Sequence, residues 1–267
     1  MFGYLDMAWR SLIAVVLAAM PALAAAQATA PDTDQALALS QAAIGAQVDD
    51  YALVRSDGGS VRLSEFRGKP LLVQFIYTGC FQACPVSVRY LQRAVATARA
   101  ALGPDAFSVL TVGFNQPFDT PQAMAAFARE HAIEDRRWYF LATDTRTIAA
   151  FTRTLGFTWY ATPKGFDHVA QVTVLDARGR VYRQIYGERF EAPLLVEPLK
   201  QLITGAPVAQ GDWRAWLEKV RLFCTVYDRS SGRYRLDYSL FIEIFAGLTI
   251  ASTVIFGLLR EWRRQRR

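Results

Sequence analysis

Residues 75–85 read FIYTGCFQACP, so Cys80 and Cys84 stand three residues apart, directly after an apolar run. A sulfur pair at such a strand-to-helix turn can form a structural disulfide, exchange thiols with another protein, or hold a soft metal. As a structural bond it would close a very short loop, which removes less chain entropy than a long one. Helix N-terminal dipoles favour thiolate, the form that acts as nucleophile and as metal ligand. The spacing is one residue wider than the Cys-x-x-Cys of disulfide oxidoreductases, which lets two sulfurs converge on one ion. Thiolates select Cu(I), zinc or iron–sulfur clusters. Two are too few for structural zinc, which takes four ligands, and no Cys-x-x-Cys-His haem signature occurs. A third, neutral ligand would complete a trigonal S₂N site suited to Cu(I).

The chain holds two histidines and three cysteines. His131 falls near the end of an expected helix over 121–131 and reads as a structural or surface residue. His168 follows the stretch 160–167, YATPKGFD, and immediately precedes an apolar strand. Taken as a loop, that stretch can reach over the cysteine turn, although an isolated loop histidine is more often simply solvated. Cys224 is remote from the pair and reads as a buried thiol, with metal hand-off or an intermolecular disulfide as alternatives.

The elements that must position these groups follow from periodicity and turn chemistry. Strands are expected at 51–54 and 60–63 around the turn SDGG, then at 71–76, 107–114 and 138–141. Helices are expected from Pro85 to about residue 101, from Pro121 behind an N-cap at Thr120, and from the cap Asp144 to about 155. A hairpin over 169–175 and 181–186 and a helix over 193–203 complete the order. This mixture of βαβ crossovers and a terminal hairpin predicts a thioredoxin-like α/β sandwich over residues 45–205. Residues 27–44, rich in Gln, Ala, Thr, Pro and Asp, read as a flexible tether, and 206–237 as an accessory extension.

The ends speak to location. Residues 11–26 form an unbroken run of small and apolar side chains leading to AAAQA at 24–28, so 1–26 read as a signal peptide. Asp6 cancels Arg10 in its n-region, which leaves an uncleaved anchor as the alternative. Residues 238–259 hold one charge, Glu243, and are long enough to span a bilayer. Five arginines follow within 260–267, which predicts a cytoplasmic basic tail and a body on the outer side, in a bacterial periplasm. Of the formal charge of +6, those last eight residues carry +4 and the body +2. The basic balance is therefore topology, and no basic-aromatic cluster points to nucleic acid.

The motif FIYTGCFQACP at 75–85, NQPFDTP at 115–121, DH at 167–168 and LDARG at 175–179, in that order, resembles the SCO/SenC family over roughly residues 45–205. The resemblance implies a membrane-tethered thioredoxin-like domain that binds copper, Cu(I) and in some states Cu(II), and serves assembly of the CuA centre of cytochrome c oxidase. It implies Cys80, Cys84 and His168 as the metal ligands. Two features depart from the family's pattern: Asn115 stands where an Asp is usual, and the firm anchor is C-terminal.

Three functions follow as expectations. The first is a copper chaperone that receives the ion from a periplasmic copper donor and passes it to an oxidase subunit or another cuproprotein. The second is a thiol–disulfide oxidoreductase, maintained by a thiol reductant, in which Cys80 and Cys84 reduce the cysteines of the copper-receiving protein. A thioredoxin-like peroxidase is weaker, because no peroxidatic cysteine motif is evident. Around the ligands, Pro85 restricts the backbone, Tyr77 or Phe81 would shield the metal, and Asp167 would orient the imidazole. Asp119 reads as a shaper of the following helix start.

Overall fold

The computed structural model describes residues 33–80, 83–163 and 165–205, with 225–228, 233–236, 242, 245–253 and 255–256 of the C-terminal part. The run LLVQFI makes β3 (Leu71–Ile76), and SVLTVG makes β4 (Ser108–Gly113); every residue of both is buried. That is what a strand covered on both faces requires, and why these two read as continuous apolar runs rather than alternating ones. They pair in parallel from Leu71↔Ser108 to Ile76↔Gly113, so both end at the same level.

Around them lie β1 (Ala52–Arg55), β2 (Ser60–Arg62), β5 (Trp138–Ala142), β8 (Gln171–Leu175) and β9 (Val181–Tyr186), in the sheet order β2-β1-β5-β4-β3-β8-β9. β4 and β5 are parallel, whereas β8 runs antiparallel to both β3 and β9. Parallel strands need a crossover. Helix α2 (Ala83–Leu102) links β3 to β4, and α3 (Pro121–Glu130) links β4 to β5. Helices α4 (Thr145–Thr154) and α5 (Ala192–Gly205) follow, with α5 lying along α2. The arrangement is the thioredoxin-like sandwich expected.

The caps behave as their residues dictate. Thr120 accepts from the Ala123 amide at 3.2 Å with Pro121 opening α3. Asp144 accepts from the Arg146 and Thr147 amides. His131 closes α3 and packs its ring on Phe127, centroids 4.3 Å apart, which is the structural role expected of it.

Two segments differ from expectation. Thr33–Ala42, inside the stretch read as tether, is a helix, α1, with Ala36 and Ser40 buried. Its apolar residues follow no clear helical periodicity, which disguised it, and it is held by polar contacts to distant residues. Ser40 donates to Gln171 Oε1 at 2.8 Å and accepts from the Tyr186 hydroxyl at 2.9 Å. Gly156 admits α1 closely, since a Cβ there would lie 2.5 Å from the Leu39 carbonyl oxygen. The second difference is the loop read at 160–167, which is a hairpin of β6 (Trp159–Thr162) and β7 (Gly165–His168). The Pro and Gly that had suggested a loop throughout sit at its tip, Pro163 after β6 and Gly165 as the first residue of β7.

Further on, β10 (Thr225–Asp228) and β11 (Arg233–Leu236) pair antiparallel within the expected extension, while the rest of 206–237, including Cys224, lies outside the described residues. Residues 245–253 and 255–256 are helical, with Phe245, Leu248, Ile250, Ile255 and Phe256 exposed. Among the described residues no helix is long and apolar enough to cross a membrane. The remainder of the expected span, the tail at 260–267 and the signal at 1–26 lie outside them.

Substituting Gly156→Ala would place a side chain at φ +64° against the α1 backbone. We expect a loss of about 2–3 kcal/mol in a urea titration, and faster proteolysis ahead of residue 43 as α1 lifts.

Candidate metal and thiol site

The site forms where β3 and β4 end together. After Ile76 the chain turns, with the Tyr77 carbonyl accepting from the Cys80 amide at 3.1 Å. Helix α2 starts at Ala83, so Cys84 lies in its first turn. The Cys84 amide donates to Cys80 Sγ at 3.2 Å, and Cys80 Sγ also bonds the Tyr77 side chain. Neither cysteine is in a disulfide and both are buried, with Cys84 at 2% exposure and Cys80 at 8%.

The two sulfurs are not equivalent. The hydrogen-bonded Cys80 side chain, followed by burial, pushes the Cys84 thiol far above the ordinary thiol range. Cys80 carries the contacts that stabilise a thiolate, two donors at a helix N-terminus. The pair is thus built as one approachable sulfur and one sheltered sulfur. Beneath it, Ser87 Oγ donates to the Cys84 carbonyl at 3.1 Å and accepts from Gln74 at 3.2 Å.

Asp119 holds the turn in place. Its carboxylate is fully buried. One oxygen accepts from the Thr78 amide at 2.8 Å and the Thr78 hydroxyl at 2.7 Å, and the other from the Asn115 amide at 2.7 Å. The end of β3 and the loop after β4 are therefore bound to one side chain. Gly113 makes the room, because a Cβ there would sit 2.4 Å from that of Asp119. Burial raises the Asp119 carboxyl above its ordinary value, and the three donors work against that rise. Asp119 shapes the cysteine turn rather than only the helix start. Its one sequence signal was the string NQPFDTP, in which Asn115 contributes here through its backbone.

His168 ends β7, half-buried. Its ring meets Phe114 and Phe157 with centroids 5.8 and 5.3 Å apart. Phe114 also packs against Tyr77 at 5.5 Å and Phe166 at 5.4 Å. The link between imidazole and sulfurs that the structure shows runs through these rings. Among the described residues no three His, Cys, Asp or Glu side chains gather into one metal-sized group. The imidazole partner is Val169, whose carbonyl lies 3.3 Å from Nδ1. A carbonyl can only accept, so Nδ1 is the donor in that contact, and in the neutral tautomer that makes this bond Nε2 is the nitrogen with the lone pair. Asp167, expected to orient the ring, is exposed and alternates away from His168 on the strand. Of the two aromatics expected to shield the metal, Tyr77 is buried and bonds the Cys80 side chain, while Phe81 lies outside the described residues.

Residues 40–204 match the SCO1/SenC family model, and the chain belongs to that family. A protein of Aquifex aeolicus VF5 proposed to serve electron transport is 27% identical, with a TM-score of 0.53 over 61% of this chain and 99% of that one. Arabidopsis thaliana ScoI, solved with copper bound, shares the fold at 18% identity and a TM-score of 0.52, over 58% of this chain and 99% of its own. So does BsSco, described as a member of the Sco family of cytochrome c oxidase assembly proteins with a disulfide switch, at 18% identity and 0.53, over 59% and 94%. No curated protein sequence matches the chain significantly.

Removing the Asp119 carboxylate strands two backbone amides and a hydroxyl in the interior. Asp119→Ala is expected to cost about 2–4 kcal/mol in urea denaturation at neutral pH. Because burial sets this carboxyl above its unfolded value, the folded state takes up the proton first as pH falls. The group's contribution to stability therefore rises as pH drops through the raised value towards the unfolded one, a component absent from the variant. For the thiols, iodoacetamide is expected to label Cys80 in Cys84→Ser roughly ten times faster than Cys84 in Cys80→Ser near neutral pH. Equal rates, read by mass spectrometry, would contradict the asymmetry.

Proposed function

We propose that this chain is a membrane-tethered periplasmic copper chaperone that delivers copper to the CuA-type site of a cytochrome c oxidase during assembly. The observation that carries the reading is the donor set: two buried sulfurs, not joined in a disulfide, at a helix N-terminus, clustered through Phe114 and Tyr77 with an imidazole whose Nδ1 faces a backbone carbonyl. Two thiolates and a neutral imidazole fit soft, low-coordinate Cu(I), and lack the four ligands of structural zinc. The copper bound by Arabidopsis ScoI supports the same cargo here.

Copper is substrate in this reading. Cys80 and Cys84 would bind it on losing their protons, with His168 as third ligand. The sheltered Cys84 resists deprotonation when metal-free, so loading releases protons and weakens as pH falls. Delivery then proceeds by ligand exchange, in which sulfurs of the receiving protein replace those of the chaperone one at a time. The apolar segment 238–259 with its arginine-rich flank supports tethering at the outer face of an inner membrane.

The sulfur asymmetry favours a second reading, a thiol–disulfide oxidoreductase for the receiving cysteines. Cys80 would attack the target disulfide and Cys84 would resolve the mixed disulfide, leaving two reduced thiols on the target and a Cys80–Cys84 disulfide here. The disulfide switch described for BsSco is consistent with it.

The histidine separates the two. Titrated with Cu(I) against a competing chelator, His168→Ala in the full-length protein is expected to lose on the order of a hundredfold in affinity. Its Cys80 alkylation rate should stay within about twofold, since disulfide exchange needs no third ligand. Unchanged copper affinity would remove His168 from the site and leave the exchange reading ahead.

A further inference from the structure

Tyr77 meets both sulfurs and the hairpin that carries His168. Its amide points to the Cys84 sulfur, and its hydroxyl bonds both the Cys80 side chain and the Phe166 backbone. The Phe166 N–H can only donate, so the phenol oxygen accepts from it, and the phenol O–H is left to donate to Cys80 Sγ. Phe166 stands two residues before His168, so their side chains share a face of β7 and both meet the Phe114 ring.

The fit is tight. The Tyr77 hydroxyl lies so close to Gly165 that a Cβ there would sit 2.4 Å from the phenol oxygen, and Gly165 has φ +118°. The ring is otherwise held edge-on by Phe114 and Phe166, with centroids at 5.5 and 5.1 Å. Packing alone therefore accounts for the ring. The hydroxyl, buried at the seam between cysteine turn and hairpin, needs a further reason.

We infer that Tyr77 is a positioning residue whose hydroxyl ties the β6–β7 hairpin, and so His168, to the Cys80 sulfur. The inference rests on the copper reading only for what His168 does once it is positioned. The tie depends on the state of the sulfur. The reduced Cys80 sulfur is the better acceptor, whereas a sulfur bonded to Cys84 in a disulfide has less electron density to offer and must shift towards its partner, so it accepts a weaker hydrogen bond. When a small disulfide such as oxidised glutathione oxidises the pair, the Cys80–Cys84 bond forms and the glutathione S–S bond breaks. Two electrons and two protons pass to the two glutathione thiols released. The O–H···S bond then weakens, and the hairpin loses one of its attachments to the turn.

Residue-resolved amide exchange on the full-length, metal-free protein tests this, comparing dithiol and disulfide forms of wild type and Tyr77→Phe. In wild type, oxidation is expected to speed exchange at Phe166 by about threefold to tenfold, the worth of one hydrogen bond. In reduced Tyr77→Phe the same amide should already exchange at the faster rate, and oxidation should add nothing further. A merely structural tyrosine would show no such redox dependence. Gly165→Ala, which displaces the hydroxyl from the hairpin side, should reproduce the Tyr77→Phe pattern and serves if that variant folds poorly. Exchange at Phe166 indifferent to oxidation in wild type, or an oxidation effect undiminished in both variants, would overturn the inference. No copper enters these measurements, so the tie can stand or fall separately from the His168→Ala titration.

Discussion

The buried carboxylate of Asp119 is the interaction on which the rest of the site depends. Parallel pairing brings the ends of β3 and β4 level, but it does not dictate the path of either chain beyond the sheet. Two loops leaving adjacent strand ends expose amides with no ladder partner, and buried amides must be satisfied. Asp119 satisfies one from each loop and a hydroxyl besides. The cysteine turn therefore has a fixed floor. Gly113 is part of the same solution, since any side chain there would occupy the space of the carboxylate.

On that floor the sulfurs acquire different characters from the same local sequence. Cys84 is the more enclosed and has the other sulfur as its neighbour, which holds its proton on. Cys80 faces the Cys84 amide and the Tyr77 side chain. One arrangement could thus serve both proposed chemistries. A nucleophile backed by a more sheltered partner suits disulfide exchange, and in the copper reading the same two sulfurs would converge on a soft ion once both protons leave. Oxidation state would decide between them, because a disulfide has no thiolate to offer a metal.

Much of this was legible from residue order. The central strands were readable because a strand covered on both faces must be apolar throughout, as at 71–76 and 108–113. Helix starts at Thr120-Pro121 and Asp144 were readable because capping is a local hydrogen bond between near neighbours. The first helix was not, because Ser40 is held by Gln171 and Tyr186, more than a hundred residues away. Nor was the hairpin ending at His168, where Pro163 lies just past β6 and Gly165 already opens β7, so the two do not mark a long loop.

What the sequence by itself determined is the inventory and its order: two sulfurs at a strand-to-helix turn, one histidine before a later strand, and the family those motifs belong to. Spacing along a chain is enough for that, since the chemistry of a thiol or an imidazole is intrinsic to its type. Only the tertiary structure decided how those groups are held. It made Asp119 the floor of the turn, gave the Nδ1 contact of His168 to the Val169 carbonyl instead of Asp167, and set the Tyr77 hydroxyl between Cys80 and the hairpin. Each of these is a contact across sheet ends or between separate loops. Hydrogen bonds of a few ångströms depend on strand register and close packing, which no local pattern encodes.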